Sequence, residues 1–168
     1  MPELSRLHAD HGPAVLAFEL ANRAYFAASI SDRGDEFFDR FTDRYDALLA
    51  EQAAGGCAYY LLLAEDRSVL GRFNLYDLHD HAARLGYRVA QHAAGRGLAT
   101  ATVGQLCRLA AARHRLRTVR AATADDNIAS RRVLAKAGFV RTGPADPADL
   151  GGKPGSWHQR DLPAHPGR

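Results

Sequence analysis

Cysteine is nearly absent from this 168-residue chain. Cys57 and Cys107 share no metal-binding or redox spacing, and both fall in apolar stretches. That excludes a disulfide framework, a zinc site and a dithiol motif, and predicts two reduced core residues in a cytoplasmic protein. Lysine is as scarce, with Lys136 and Lys153 the only two among 22 basic residues. The excess of Arg and Ala reads as genome composition rather than function. No long hydrophobic run exists. The longest, Cys57 to Ala64, is far too short to span a bilayer. The opening residues, MPELSRLHADHG, hold no hydrophobic segment, so no export leader is expected. Charge of one sign is also lacking, because the net is only +3. Arg108, Arg113, Arg115, Arg117 and Arg120 do cluster, at the end of a long helical pattern and the start of the next strand. A solvated helix end with favourable dipole placement accounts for them better than a nucleic-acid surface.

What remains is ordinary globular material, 46% apolar and 24% charged. It predicts one domain over residues 1–162, without internal repeats, and a disordered tail over 163–168. Glu3 to Leu7 reads as a first strand. Asp10 reads as the N-cap of a helix with Pro13 in its first turn, running to about Ala24. After a looser stretch from Ala27 to Gly34, a second helix is expected over Asp35 to Ala54. Its Phe37, Phe38, Phe41, Tyr45, Leu48 and Leu49 recur at three- and four-residue steps. Three strands follow, over Cys57–Glu65, Val69–Leu78 and Ala83–Ala90, with a polar connection from Asp77 to Ala82. The first is apolar on both faces and so central. A long helix follows from Gly97, then a strand over Arg117–Thr123. A short helix is capped by Asn127 and closed by Gly138. Strands over Phe139–Thr142 and Ser156–Leu162 complete a mixed α/β sheet with helices on both faces.

One stretch organises this pattern. Leu85, Tyr87 and Val89 alternate with Gly86, Arg88 and Ala90 as in a strand. Ala99, Val103, Leu106, Cys107 and Ala110 then recur at helical spacing. Between them, Ala94-Gly95-Arg96-Gly97 carries little bulk. A helix beginning there points unpaired N–H groups and the positive end of its dipole outward, which suits a phosphate.

Two motifs give the chain a family likeness. Val89 to Ala99, VAQHAAGRGLA, and Asn127 to Phe139, NIASRRVLAKAGF, stand in order behind a three-strand meander. With them the chain resembles the GCN5-related N-acetyltransferases (GNAT), and within these the ribosomal-protein alanine acetyltransferases. The resemblance extends from about Leu4 to Leu162 and is sharpest between Gly86 and Gly143. It implies a mostly antiparallel sheet in the order β-α-α-β-β-β-α-β-α-β-β with splayed central strands. It also implies acetyl-CoA as cofactor and no metal. Cofactor contacts carried over by position are Val89, Ala94, Gly95, Arg96, Gly97, Leu98, Ala99, Thr100, Asn127 and Ser130. The backbone of Val89 pairs with the pantetheine and polarises the thioester carbonyl. Two positions depart from the family pattern. Ala94 stands where Arg or Gln usually precedes the first turn glycine, and Leu134 stands where many members carry a tyrosine acid. Ser130 matches the serine given that role in the ribosomal-protein branch.

The implied reaction is direct attack of an amine on the thioester, with a base to take the ammonium proton. Asp77 or His79 is the expected base, with Glu19 and His158 also considered. Glu19, Asn22, Arg23, Tyr25, Phe26 and Trp157 are the expected acceptor contacts. The acceptor is a protein or peptide N-terminus. The alternatives are a small-molecule amine, as in detoxification, or a non-catalytic acyl-CoA-binding regulatory domain. Neither nucleic acid nor membrane is expected as a partner, and the state is monomer or homodimer.

Overall fold

The computed structural model describes residues 1–164. The end of the expected tail, 165–168, lies outside the described residues. Seven strands form one sheet in the order β1-β2-β3-β4-β5-β7-β6. They are β1 (Glu3–Arg6), β2 (Ala58–Leu63), β3 (Val69–His79), β4 (Ala82–Val89), β5 (Thr118–Ala124), β6 (Val140–Ala145) and β7 (Gly155–Asp161). The helices are α1 (Gly12–Ala21), α2 (Arg23–Ala27), α3 (Asp35–Asp39), α4 (Phe41–Ala53), α5 (Leu98–Arg113) and α6 (Ile128–Lys136). The pairings β1–β2, β5–β7 and β6–β7 are antiparallel, and β4–β5 is parallel. This is the expected mixed, mostly antiparallel α/β fold. The β4–β5 ladder holds only Ala82–Arg84 against Thr118–Arg120, although β4 runs on to Val89 and β5 to Ala124. Among the described residues, no ladder pairing between the two strands is found beyond Arg84 and Arg120. No helix among the described residues is long and apolar enough to cross a membrane.

The chain divides into two compact units. The first comprises Met1–Asn74 and Tyr87–Ala94. All six residues of β2 are buried, as its apolar run requires. Phe73 stacks on Tyr87 with centroids 5.7 Å apart. Phe37, Phe41 and Tyr45 form a second aromatic row, and the Tyr45 hydroxyl donates to the carbonyl of His8. Burial pushes that phenol up to about 12.

Three expectations are corrected here. His8, not Asp10, is the capping residue. Its ring accepts from the amide of Asp10, and His11 reciprocates toward the amide of His8, so the first turn is a short 3₁₀ segment ahead of α1. The first helix stops at Ala21 and resumes as α2. The Asn22 side chain donates to the Phe18 carbonyl and accepts from the Gln91 amide, which holds the residue out of helical geometry. The predicted Asp35–Ala54 helix breaks at Arg40, whose φ of −110° separates α3 from α4.

The buried carboxylate of this unit is Glu19, on the inner side of α1 and 1% exposed. Arg72 of β3 donates to it at 2.7 Å and Arg33, between α2 and α3, at 3.1 Å. Arg88 of β4 lies at 3.5 Å. Burial alone would raise the Glu19 carboxyl. The charges of Arg33 and Arg72, the Arg72 hydrogen bond and the charge of Arg88 overcome that and hold it below the usual carboxylate range.

The second unit comprises Leu75–Gly86 and the chain from Gly95 onward. Val103, Leu106, Cys107 and Ala110 form the buried stripe of α5, and Leu134 that of α6. Val119, Ala121, Leu85 and Phe139 join them in the core. The β5–β7 ladder runs unbroken from Thr118↔Asp161 to Ala124↔Gly155. A Cβ on Gly155 would collide with the Thr123 carbonyl, so that close approach requires glycine. The polar stretch from Asp77 is not a loop. β3 continues through His79, and only Asp80 and His81, both at positive φ, make the turn.

Replacing Glu19 by Gln leaves three guanidiniums facing a neutral amide. The expected cost is about 3–5 kcal/mol of stability at neutral pH, read by urea denaturation. Because the folded carboxyl is held below its unfolded value, the native state binds fewer protons through the carboxylate range. Its contribution is complete above the unfolded value and drains away as pH falls through the folded one. The gap between wild type and Glu19→Gln should therefore narrow on acidification.

Candidate active site

The turn behind β4 is built from residues that keep side chains out of the way. Gln91–Ala93 make a single 3₁₀ turn, and Ala94 is extended and exposed. Gly95 and Gly97 both have φ of +76°, the left-handed region that glycine enters without strain. A Cβ on either would meet nothing within 4 Å, so the space above them is open. Gly97 is the N-cap of α5 and supplies no side-chain hydrogen bond. The helical ladder begins with the Ala101 amide on the Gly97 carbonyl. The amides of Leu98, Ala99 and Thr100 therefore have no partner within the helix. A sixteen-residue helix with an open, uncapped N-terminus has the geometry and the dipole to hold a phosphate. The donor set fits a pyrophosphate through backbone alone, and Ala94 contributes no charge to it.

At the start of α6, the Asn127 side chain accepts from the Ser130 amide at 3.2 Å, so Asn127 is the N-cap that its spacing predicts. Ser130 is half-buried in the first turn of that helix. Leu134, one turn further on, is 1% exposed and belongs to the core. A hydrophobe there serves packing and has no proton to donate.

The expected acceptor residues divide by exposure. Glu19, Asn22 and Phe26 are buried. Phe26 packs on Phe18 at 5.5 Å, and the Arg88 guanidinium lies over its ring at 5.1 Å. Arg23 is ion-paired to Asp32 at 2.8 Å and Asp35 at 2.9 Å, and stacks over Phe38 at 4.4 Å. Its bonds to Asp32 and Asp35 raise the guanidinium further and lower Asp32 to about 2. Tyr25 stays 38% exposed. In the second unit, Trp157 of β7 is half-buried under the guanidinium of Arg120 at 4.6 Å. A cleft of about 800 Å³ also lies along Ala14, Ala17 and Ala21 of α1, beside the Asp66–Ser68 turn and His92.

The candidate bases are equally distinct. Asp77 is exposed and lies 3.8 Å from Arg84. His79 is exposed and pairs with Asp80 at 3.0 Å. Both belong to the end of the β3–β4 hairpin. His158 is 8% exposed, and its Nε2 has no hydrogen-bond partner among the described residues. Burial, then the charges of Arg131 and Arg141, push its pKa down, which favours the neutral imidazole, with one ring nitrogen donating and the other accepting. Sequence reasoning missed Arg33, Arg72 and Arg88. The signal was Glu19 itself, a carboxylate on the apolar side of a helix, which demands cations opposite.

No group of metal-ligating side chains is present among the described residues. No curated protein matches the chain. Solved structures share its fold. The ribosomal-protein-S5-alanine acetyltransferase of Vibrio fischeri superposes with a TM-score of 0.87 at 18% identity, over 95% of this chain and 92% of that one. RimJ of Mycobacterium smegmatis, in complex with CoA-disulfide, gives 0.83 at 20% identity, over 94% and 80%. A spermidine N-acetyltransferase from Vibrio cholerae, with CoA and spermine, gives 0.80 at 14% identity, over 96% and 95%. The acetyltransferase (GNAT) domain profile matches residues 3–140. That match spans most of the chain and includes the glycine turn, so the protein belongs to the GNAT family and is an acetyl-CoA-dependent N-acetyltransferase.

Proposed function

We propose that the enzyme acetylates the N-terminal amine of a protein or peptide, within one catalytic domain over residues 1–162. The observation that carries the choice of acceptor is Glu19. Small cationic amines need free carboxylates, and Glu19 is already committed to three guanidiniums. Asp32 and Asp35 are likewise committed to Arg23. A detoxifying acetyltransferase for a small amine is the second reading. The Vibrio cholerae enzyme, a spermidine acetyltransferase of this fold, is what favours it.

Acetyl-CoA supplies the acetyl group as a thioester. The backbone amides of Gly95, Arg96, Gly97, Leu98 and Ala99, with the Thr100 hydroxyl, bind the pyrophosphate. The Val89 backbone holds the pantetheine and donates to the acetyl oxygen as negative charge develops there. Asn127 orders the pantetheine arm while capping α6. The Ser130 hydroxyl gives its proton to the departing sulfur. An N-terminal amine, with a pKa of roughly 7.7–8.0 against about 10.4 for lysine, sheds its proton near neutrality. A modest base therefore suffices. Asp77 or His79 is the exposed candidate for that role, and His158, held toward the neutral form, is the buried alternative. Tyr25 and Trp157 are the acceptor contacts that retain accessible surface. Glu19 acts on the acceptor side only through the arginines it holds.

Two experiments test these assignments. Gly97→Ala and Gly97→Glu carry the same left-handed strain, about 1–2 kcal/mol, but only Glu adds a carboxylate beside the pyrophosphate. Calorimetric titration with CoA should show Gly97→Glu at least about tenfold weaker than Gly97→Ala. Equal affinities would place the pyrophosphate elsewhere. Ser130→Ala should lower kcat by about a hundredfold while leaving CoA affinity unchanged, measured by release of free CoA thiol. An unchanged kcat removes Ser130 as the acid.

A further inference from the structure

The sheet of the second unit carries a pair of arginines with an unusual arrangement. Arg84 of β4 and Arg120 of β5 are register partners on adjacent parallel strands, so their side chains leave the same face of the sheet. Like charges at paired positions destabilise a sheet by up to about 1 kcal/mol. Neither guanidinium escapes by close pairing with a carboxylate. Arg120 has no ion pair among the described residues and is stacked over Trp157 at 4.6 Å. Arg84 is stacked over Tyr76 at 5.6 Å, with Asp77 only at 3.8 Å and both side chains exposed. Asp161 shares this face; its Oδ1 accepts from Gln159 at 2.9 Å and Thr118 at 3.5 Å, and it forms no ion pair with either arginine. Each cation is thus propped by a ring, and among the described residues only Asp77, 3.8 Å from Arg84, offsets the charge of the pair. An exposed cation over an aromatic ring gains about 0.5–1 kcal/mol, enough to orient it but not to satisfy its donors.

We propose that this face binds the acidic side chains of a peptide, with Arg84 and Arg120 sharing its carboxylates and Tyr76 and Trp157 flanking them. The proposal rests on the peptide-acceptor reading above and deepens it: the acceptor is a peptide that carries Asp or Glu in its N-terminal segment. Planar guanidiniums with parallel N–H donors match carboxylate geometry, and a bound carboxylate removes the repulsion between them. A polyamine would meet two cations here, so this face disfavours the small-amine alternative.

Trp157 is the only tryptophan of the chain, so its fluorescence reports binding at this face directly, whether or not acetyl transfer occurs. The wild-type enzyme is titrated with short peptides of free N-terminus that differ only in carrying aspartate, asparagine or lysine at the positions behind the first residue. An oligonucleotide of charge equal to the aspartate peptide is the control. The aspartate peptide should bind at least about tenfold more tightly than the asparagine peptide, lose affinity with salt, and lose its advantage in Arg84→Gln/Arg120→Gln. Unchanged CoA affinity and thermal melting show that the double variant is folded. Equal affinity for the aspartate and asparagine peptides overturns the proposal, as does tighter binding of the oligonucleotide. Thiol release in the same mixtures separates the two claims. Peptides acetylated without regard to acidity sink only this inference. Aspartate-selective binding without acetylation of any peptide sinks only the acceptor reading.

Discussion

A carboxylate at 1% exposure stays ionised only if cations surround it, and in this enzyme the cations come from three different segments. Glu19 on α1 holds Arg33 from the α2–α3 connection, Arg72 from β3 and Arg88 from β4. Removing the carboxylate would leave a buried arginine and two half-buried ones without a counter-charge. The same contact fixes Arg88 immediately before Val89, the residue whose backbone is assigned to the thioester. It also places the Arg88 guanidinium over Phe26. One ion cluster thereby links the packing of the first unit to the strand on which the chemistry is assigned.

The cofactor turn follows the opposite strategy. Its chemistry lies in the backbone, and its residues are chosen for what they omit. Gly95 and Gly97 adopt left-handed geometry, Gly97 offers no cap, and Ala94 brings neither charge nor bulk. The phosphate binding proposed for this turn rests on chain direction and helix dipole. Both are written in local sequence, so the turn and its glycines are legible there. The Asn127 cap and the Gly138 stop of α6 were readable for the same reason, since each depends on residues within one helical turn.

Features that depend on register or on distant partners were less legible. Glu19 could be placed on α1 from periodicity, but its three partners lie 14 to 69 positions away and meet it only after the sheet forms. The Arg84–Arg120 pair depends on the β4–β5 register, which no local pattern specifies. Helix interruptions at Asn22 and Arg40 broke smooth hydrophobic periodicity, because a side-chain hydrogen bond in one case and a backbone φ in the other outweighed propensity. The cap at His8 was missed since aspartate is the commoner capping residue and the histidine pair is a three-dimensional arrangement. The candidate site was thus legible where backbone carries it and obscure where side chains from separate strands meet.

The central claim is that the exposed amides at the start of α5 receive the cofactor pyrophosphate. Amide-resolved ¹⁵N NMR during a CoA titration tests it most directly. The account predicts that the largest chemical-shift changes fall on Gly95, Arg96, Gly97, Leu98 and Ala99, with the hydrogen-bonded amides of that turn moving downfield. Saturable CoA binding that leaves those five amides unmoved would contradict it.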